Sequence, residues 1–203
     1  MALKIIEGDA REHSGSADIL FTDPPFDMTG KALASILARY RSEHLVLITS
    51  MRQLLEFVAA TDWQLAFDFV LDAVQPKESK AVHQPHYTHQ TGVYLRKPGA
   101  RSIFDRKRRA RSDLFEDNGY WPTVIRAPRE RGGVHGQAKS VQAVTDILGS
   151  FRADSVIDPF AGSFTTLLAA ADIGIDAVGI ERVPSLCAQA RKSLRFLGLN
   201  DRQ

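Results

Sequence analysis

The sequence predicts an α/β protein: a doubly wound, mostly parallel sheet with helices on both faces. Three observations carry that expectation. Short apolar and β-branched runs alternate with segments whose apolar residues recur every three or four positions, the rhythm of strands and covering helices. His44-Leu45-Val46-Leu47-Ile48-Thr49 is nearly all apolar, which suits a strand buried on both faces. Two strand-like runs end in Asp23-Pro24 and Asp158-Pro159, and in such sheets ligands bind beyond the carboxyl ends of the strands. At 203 residues the chain has room for one such domain with a real core and not for two comfortable ones, so residues 1–203 are expected to form one.

Composition narrows the class further. With 44% hydrophobic and 25% charged residues the chain resembles an ordinary globular protein, which argues against disorder over most of it. Its single cysteine, Cys187, excludes an internal disulfide, and helical spacing with Val183, Ala190 and Leu194 makes it a small core residue rather than a nucleophile. No charged-then-apolar leader opens the chain and no apolar run approaches a membrane span, so a cytoplasmic protein is expected.

In chain order, Leu3-Lys4-Ile5-Ile6-Glu7-Gly8-Asp9 alternates as a short strand ending in a turn. Ser16 to Thr22 is a second strand. Pro24 and Pro25 end it by removing backbone donors and fixing φ. Thr29 is placed to cap a helix whose apolar face is Leu33, Ile36, Leu37 and Tyr40. The buried strand 44–49 follows, then a covering helix marked by Leu54, Leu55 and Val58. Trp63 to Val74 and Thr91 to Lys97 read as two further strands. Between them lie His83, His86 and His89, but Pro85 breaks any helix that would align them and no cysteine or carboxylate completes a set, so no metal site is expected. His86 and Tyr87 belong either to a base-stacking loop or to a solvated one.

From Arg96 to Arg111, eight of sixteen residues are Lys or Arg and Asp105 is the only acid. A single-sign block of that density is a solvated tail or a phosphate-binding surface, and its internal position favours the second. Trp121 reads as a packing anchor. Val141, Val144, Ile147, Leu148 and Phe151 mark a core-facing helix, and Ser155 to Asp158 a strand. The loop Pro159-Phe160-Ala161-Gly162-Ser163-Phe164 leads into a helix from Thr165 and Thr166 through Leu168 and Ile173. Small residues there let backbone approach a ligand at a helix start, where free N–H groups favour a carboxylate. The strand Ile175 to Glu181 ends in an acid about twenty residues after the loop, where such folds pair a carboxylate with ribose hydroxyls. Glu181 is otherwise a cap for the helix starting at Pro184.

Asp23-Pro24-Pro25-Phe26 sets a carboxylate and two carbonyls around one point, with an aromatic face beside them. That chemistry suits a planar ring with an exocyclic amine, whose N–H bonds the oxygens accept while Phe26 stacks on its face. A plain loop with Asp23 as a helix cap is the competing reading. The tetrad together with Asp158-Pro159-Phe160-Ala161-Gly162-Ser163-Phe164-Thr165-Thr166 resembles the motif pair of DNA amino-methyltransferases, D-P-P-Y/F and D-P-F-x-G-S-G-T-T. The order, catalytic motif first, is similar to the permuted β class.

The resemblance spans nearly the whole chain. It implies a Rossmann-like class I methyltransferase fold with circularly permuted motif order, S-adenosylmethionine as cofactor and DNA as partner. It assigns catalysis to Asp23, Pro24, Pro25 and Phe26. It assigns cofactor contacts to Asp9, Asp23, His135, Lys139, Asp158, Pro159, Phe160, Ala161, Gly162, Ser163, Thr165 and Glu181. His135 and Lys139 match the family's H-P-x-Q-K-P, whereas its two prolines and its glutamine are not matched. Phe164 replaces the second glycine of G-S-G, which matters if that position needs positive φ.

The family's target-recognition segment corresponds to residues 98–134, with Arg101, Arg106, Lys107, Arg108, Arg109 and Arg111 as DNA contacts. So short an insert implies loose sequence specificity, or a homodimer whose second subunit helps. Such compactness suits a phage or mobile-element enzyme, or the methylase of a restriction-modification pair. Because Asp rather than Ser opens the motif, the resemblance favours adenine N6 over cytosine N4. An RNA or protein-glutamine methyltransferase and an inactive DNA-binding relic are the alternatives.

Overall fold

The computed structural model describes residues 1–77, 87–106, 121–126, 140–199 and 201. It builds, in order, β1 (Leu3–Glu7), β2 (Gly15–Ser16), β3 (Ile19–Thr22), α1 (Gly30–Leu37), β4 (Tyr40–Arg41), β5 (His44–Thr49), α2 (Met51–Ala59), β6 (Gln64–Lys77) and β7 (Tyr87–Arg96). Then come β8 (Val124–Arg126), α3 (Val141–Gly149), β9 (Ser155–Asp158), α4 (Thr165–Ile173), β10 (Asp176–Glu181) and α5 (Pro184–Phe196). Eight strands form one sheet in the order β1-β10-β9-β3-β5-β7-β6-β8. Only β7 runs against its neighbours, so the sheet is mostly parallel, as predicted. β2 and β4 form a separate two-stranded pair.

Helices cover both faces because the central strands are apolar on both. Every residue of β3 and β5 is buried. Ile19, Phe21, Val46 and Ile48 pack on one side with Val144, Ile147, Leu167 and Leu194 from α3, α4 and α5. Leu20, Leu45 and Leu47 pack on the other with Leu33, Ile36, Leu54 and Phe57 from α1 and α2. Cys187 is fully buried in the first cluster, the core position its spacing predicts.

Winding reverses between β3 and β9. From β9 the chain passes through α4 to β10 on one side, and from β3 through α1 to β5 on the other. The two strands pair in parallel, Ile19 with Val156 and Leu20 with Ile157, which sets their carboxyl ends side by side. Asp18 fastens this junction from the opposite end. Its Oδ2 accepts from the N–H groups of Asp154 and Ser155 at 2.8 and 3.0 Å and from the Ser155 hydroxyl at 3.0 Å.

Several sequence expectations shift in detail. Tyr40 does not end the first helix but sits in β4, still buried, with its hydroxyl donating to the Ala10 carbonyl at 2.8 Å. Ala38 closes α1 before it. Leu55 is 60% exposed while Phe57 fills the inner face of α2, because the helix turns Leu54 and Phe57 inward three positions apart. Val141 is only partly covered, since it lies in the first turn of α3.

Part of the 98–134 insert belongs to the sheet. Val124–Arg126 forms an edge strand parallel to β6, and Trp121 packs edge-on against Phe67, Phe69 and Phe104. Among the described residues no helix is long and apolar enough to cross a membrane, and no cluster of three His, Cys, Asp or Glu forms a metal site. His83 and His86 lie outside the described residues.

Replacing Asp18 by Ala removes the acceptor of three hydrogen bonds across the β3–β9 junction. Bonds to a charged acceptor contribute about 1.5–3 kcal/mol when sheltered, so at this exposed site a loss of about 1–2 kcal/mol is expected. Urea unfolding checks it, and an unshifted midpoint would show that the strand pairing alone sets the junction.

Candidate active site

The carboxyl ends of β1, β3, β9 and β10 open into one cavity of about 1120 Å³. It is lined by Asp9 and Arg11 after β1, residues 23–29 after β3, residues 158–163 after β9, and Glu181 to Val183 after β10. Gln90 of β7, Leu71 of β6 and Ala143 and Val144 of α3 complete the wall. Pockets for one drug-sized molecule are typically ~300–1,000 Å³, so this cavity lies just above the upper end of that range.

The structure therefore gathers Asp9, Asp23, Pro24, Pro25, Phe26, Asp158, Pro159, Phe160, Ala161, Gly162, Ser163, Thr165 and Glu181 around one space. Phe26 is 47% exposed, which leaves an aromatic surface available at the cavity. His135 and Lys139 lie outside the described residues. Arg101 and Arg106 are exposed but line no part of the cavity. They lie toward the other end of the sheet, where Arg96 pairs with His44 and Asp105 N–H donates to the Ser150 carbonyl at the far end of α3. Lys107, Arg108, Arg109 and Arg111 lie outside the described residues.

The loop after β9 is shaped by its own polar groups. Asp158 accepts from the Phe160 N–H at 3.0 Å and from the Thr166 hydroxyl at 2.6 Å, tying the strand end to the first turn of α4. Burial pushes its carboxyl up to about 6, against the hydrogen bonds of Thr166, Phe160 and Thr22, and the nearby Asp23 carboxylate adds to the rise. Glu181 joins two loops: Oε2 accepts from Gly162 N–H and Oε1 from Val183 N–H, both at 2.9 Å. It thus ties the turn before α5 to the loop after β9 while also lining the cavity.

Phe164 occupies the N-cap of α4 at φ 61°, the left-handed conformation that a glycine adopts at no steric cost. Strain of that kind costs about 1–2 kcal/mol, whereas burying a phenylalanine contributes about 1.5–3 kcal/mol, so packing offsets the backbone. The ring is 1% exposed and points into the core, not the cavity. Gly179 makes room for it: a Cβ there would lie 2.9 Å from the Phe164 ring and 2.6 Å from Leu167.

No side-chain cap closes the start of α4, and Ser163 and Thr165 line the cavity beside it. An uncapped helix start for a carboxylate and an acid for ribose hydroxyls, on one cavity, fit an amino-acid nucleoside such as S-adenosylmethionine. Asp9 sits at the same cavity. Arg11 grips it through Nε at 2.9 Å and Nη2 at 2.6 Å, and these bonds hold its carboxyl down to about 2. Arg11 and Gln90 escape sequence reasoning. Arg11 follows the turn without a motif, and Gln90 falls just before the strand read from Thr91, whereas the observed strand begins at Tyr87.

Residues 62–192 match the family N6_N4_Mtase, described as DNA methylase. No curated protein matches the chain in sequence. Among solved structures the fold is similar to the M1.HpyAVI–SAM complex, with TM-score 0.70, 18% identity, and coverage of 95% of this chain and 100% of that one. It is similar to TTHA0409 of Thermus thermophilus complexed with S-adenosyl-L-methionine, with TM-score 0.68, 19% identity and 98% of each chain covered. It is also similar to the cytosine-N4-specific PvuII DNA methyltransferase, with TM-score 0.71, 15% identity, and coverage of 97% of this chain and 86% of that one.

Unfolded, Asp158 releases its proton near the ordinary value of 3.8; folded, it holds it until about 6. The folded state binds the extra proton between those values, so this group's contribution to stability falls as pH rises through that window and is flat above it. Asp158→Asn should therefore gain on the wild type by about 1–3 kcal/mol between pH ~4 and ~7 in urea unfolding. A difference independent of pH would assign the titration to another group.

Proposed function

The chain belongs to the family of N6 and N4 amino-methylating DNA methylases, and from that premise we propose that it moves a methyl group from S-adenosylmethionine to the 6-amino group of adenine in DNA. The observation that carries this reading is the parallel pairing of β3 with β9, which sets Asp23 and the Asp158 loop on one cavity although they are 135 residues apart in sequence (158 − 23). The α4 start and Ser163 would hold the donor's carboxylate, and Glu181 its ribose. The bound donor supplies an electrophilic methyl group on a sulfonium.

The chain's own work is on the amine. An aromatic amine is a weak nucleophile because its lone pair is delocalised into the ring. Accepting its two N–H bonds at the Asp23 carboxylate and the Pro24 carbonyl favours a more tetrahedral nitrogen and aims the lone pair, so positioning supplies much of the rate. The base must leave the duplex to reach this point. Stacking on Phe26 offsets part of a cost of a few kcal/mol. No covalent intermediate is involved: Cys187 is fully buried, burial pushes its thiol up, and it does not line the cavity.

Adenine is preferred over cytosine because the tetrad opens with Asp. Phe164 supports an active enzyme over a relic, since its ring leaves the donor space open. The basic run from Arg106 to Arg111 is assigned to DNA phosphates. It follows a segment, Ile103 to Asp105, that packs at the end of the sheet away from the cavity.

With labelled S-adenosylmethionine and unmethylated DNA, digestion to nucleosides should place the label on N6-methyl-2′-deoxyadenosine. Label on N4-methyl-2′-deoxycytidine would reassign the target, and transfer to RNA but not to DNA in a parallel assay would reject DNA. Asp23→Ala should abolish transfer while leaving donor affinity by calorimetry largely intact; retained activity removes Asp23 from the mechanism. Replacing Arg106, Lys107, Arg108 and Arg109 with Ala should flatten the salt dependence of DNA binding, and an unchanged slope would discharge that surface.

A further inference from the structure

The loop from Asp23 to Thr29 has an unusual shortage of donors. Pro24 and Pro25 have no N–H, so the turn presents carbonyls that its own backbone can scarcely satisfy. Only Met28 N–H reaches back, to the Pro25 carbonyl at 3.0 Å. The missing donors come from α2. Ser50-Met51-Arg52-Gln53 has the form of a capping box, in which the N3 glutamine turns back to the N-cap backbone. Ser50 follows that pattern, its hydroxyl accepting from Gln53 N–H at 3.3 Å. The Gln53 side chain does not.

Gln53 is 2% exposed and reaches out of its helix into the loop. Its Nε2 donates to the Pro25 carbonyl at 3.0 Å and the Met28 carbonyl at 2.8 Å, and its Oε1 accepts from the Thr49 hydroxyl at 2.7 Å. Both amide protons and the amide oxygen are used. A flipped amide would face Oε1 against two carbonyls, so the network fixes the orientation. With Met28 N–H and Gln53 both on it, the Pro25 carbonyl has no lone pair left for a substrate. Among the described residues no hydrogen bond is made to the Pro24 carbonyl. One turn further along α2, Glu56 Oε2 accepts from Gly30 N–H at 2.8 Å and fixes the far end of the loop.

We propose that Gln53 is the positioning residue of the Asp23-Pro24-Pro25-Phe26 loop: by clamping the Pro25 and Met28 carbonyls it pins the turn, occupies the last acceptor site of Pro25 and leaves Pro24 as the carbonyl that receives the target amine. This rests on the methyl-transfer reading above. Gln53 touches neither donor nor base and acts through the loop, so its loss falls on turnover and not on donor affinity.

The test uses the full chain, labelled S-adenosylmethionine and unmethylated genomic DNA, with donor binding by calorimetry and unfolding midpoints alongside. Gln53→Met keeps length and bulk but removes both donors. Its kcat should fall by about 10- to 100-fold, the scale of a small misplacement of reacting groups, with donor Kd within about threefold. Gln53→Glu returns a donor only when protonated, so its kcat relative to wild type should rise as pH is lowered from about 8 to about 6. A purely structural role would not produce that profile. Wild-type kcat in Gln53→Met overturns the proposal, as does a parallel loss of kcat and donor affinity, or a flat relative profile for Gln53→Glu. If Gln53→Met does not fold, Thr49→Val, which frees the amide but keeps its donors, decides on the same kcat-against-Kd criterion. Active wild type with an active Gln53 variant sinks the clamp alone; inactive wild type sinks the proposed reaction and the clamp with it.

Discussion

The parallel contact between β3 and β9 is the constraint on which the rest of the molecule depends. Both strands are short, with two paired positions between them, and Asp18 reinforces the contact from the far edge through three accepted hydrogen bonds. Because winding reverses there, the loops leaving the two strands diverge to opposite faces and open a crevice between them. The tetrad Asp23-Pro24-Pro25-Phe26 stands on one lip and the loop after Asp158 on the other. Slipping either strand by one residue would turn its alternating side chains to the opposite faces, so the two apolar layers hold the register that the site requires.

Within the crevice, the loops are held by side chains from elsewhere more than by themselves. Glu181 spans from β10 to Gly162, Asp158 closes its own loop against Thr166, and Gln53 reaches from α2 to the proline turn. Each satisfies backbone groups that the loop sequence leaves unpaired, which is the condition for irregular backbone to hold one shape beside a ligand. Phe164 shows the same logic in packing. Its left-handed backbone is tolerated because its ring is buried against the space that Gly179 leaves.

The described residues after β7 belong to the core and the sheet edge. Ile103, Phe104 and Trp121 join an aromatic cluster with Phe67, Tyr94 and Phe151, and Val124–Arg126 extends the sheet, so much of this stretch completes the core. The basic residues Lys107, Arg108, Arg109 and Arg111 lie outside the described residues, and their assignment to a polyanionic partner belongs to the proposed function.

The sequence alone determined the alternation of strands and helices, the burial of the central strands on both faces, Thr29 as a helix cap and the two acid–proline motifs, because each is a pattern within a few residues of itself. Its misreadings were local too: Tyr40 and Leu55 follow helical spacing, yet α1 stops at Leu37 and α2 turns Phe57 inward. Only the tertiary structure decided that Asp23 and the Asp158 loop share a cavity, that Phe164 faces the core, that Val124–Arg126 is a strand, and that Gln53 leaves its capping pattern for the proline turn. Those outcomes depend on pairings between segments tens to more than a hundred residues apart. Spacing along the chain carries no record of which distant group will satisfy an unpaired carbonyl or fill a gap beside a glycine.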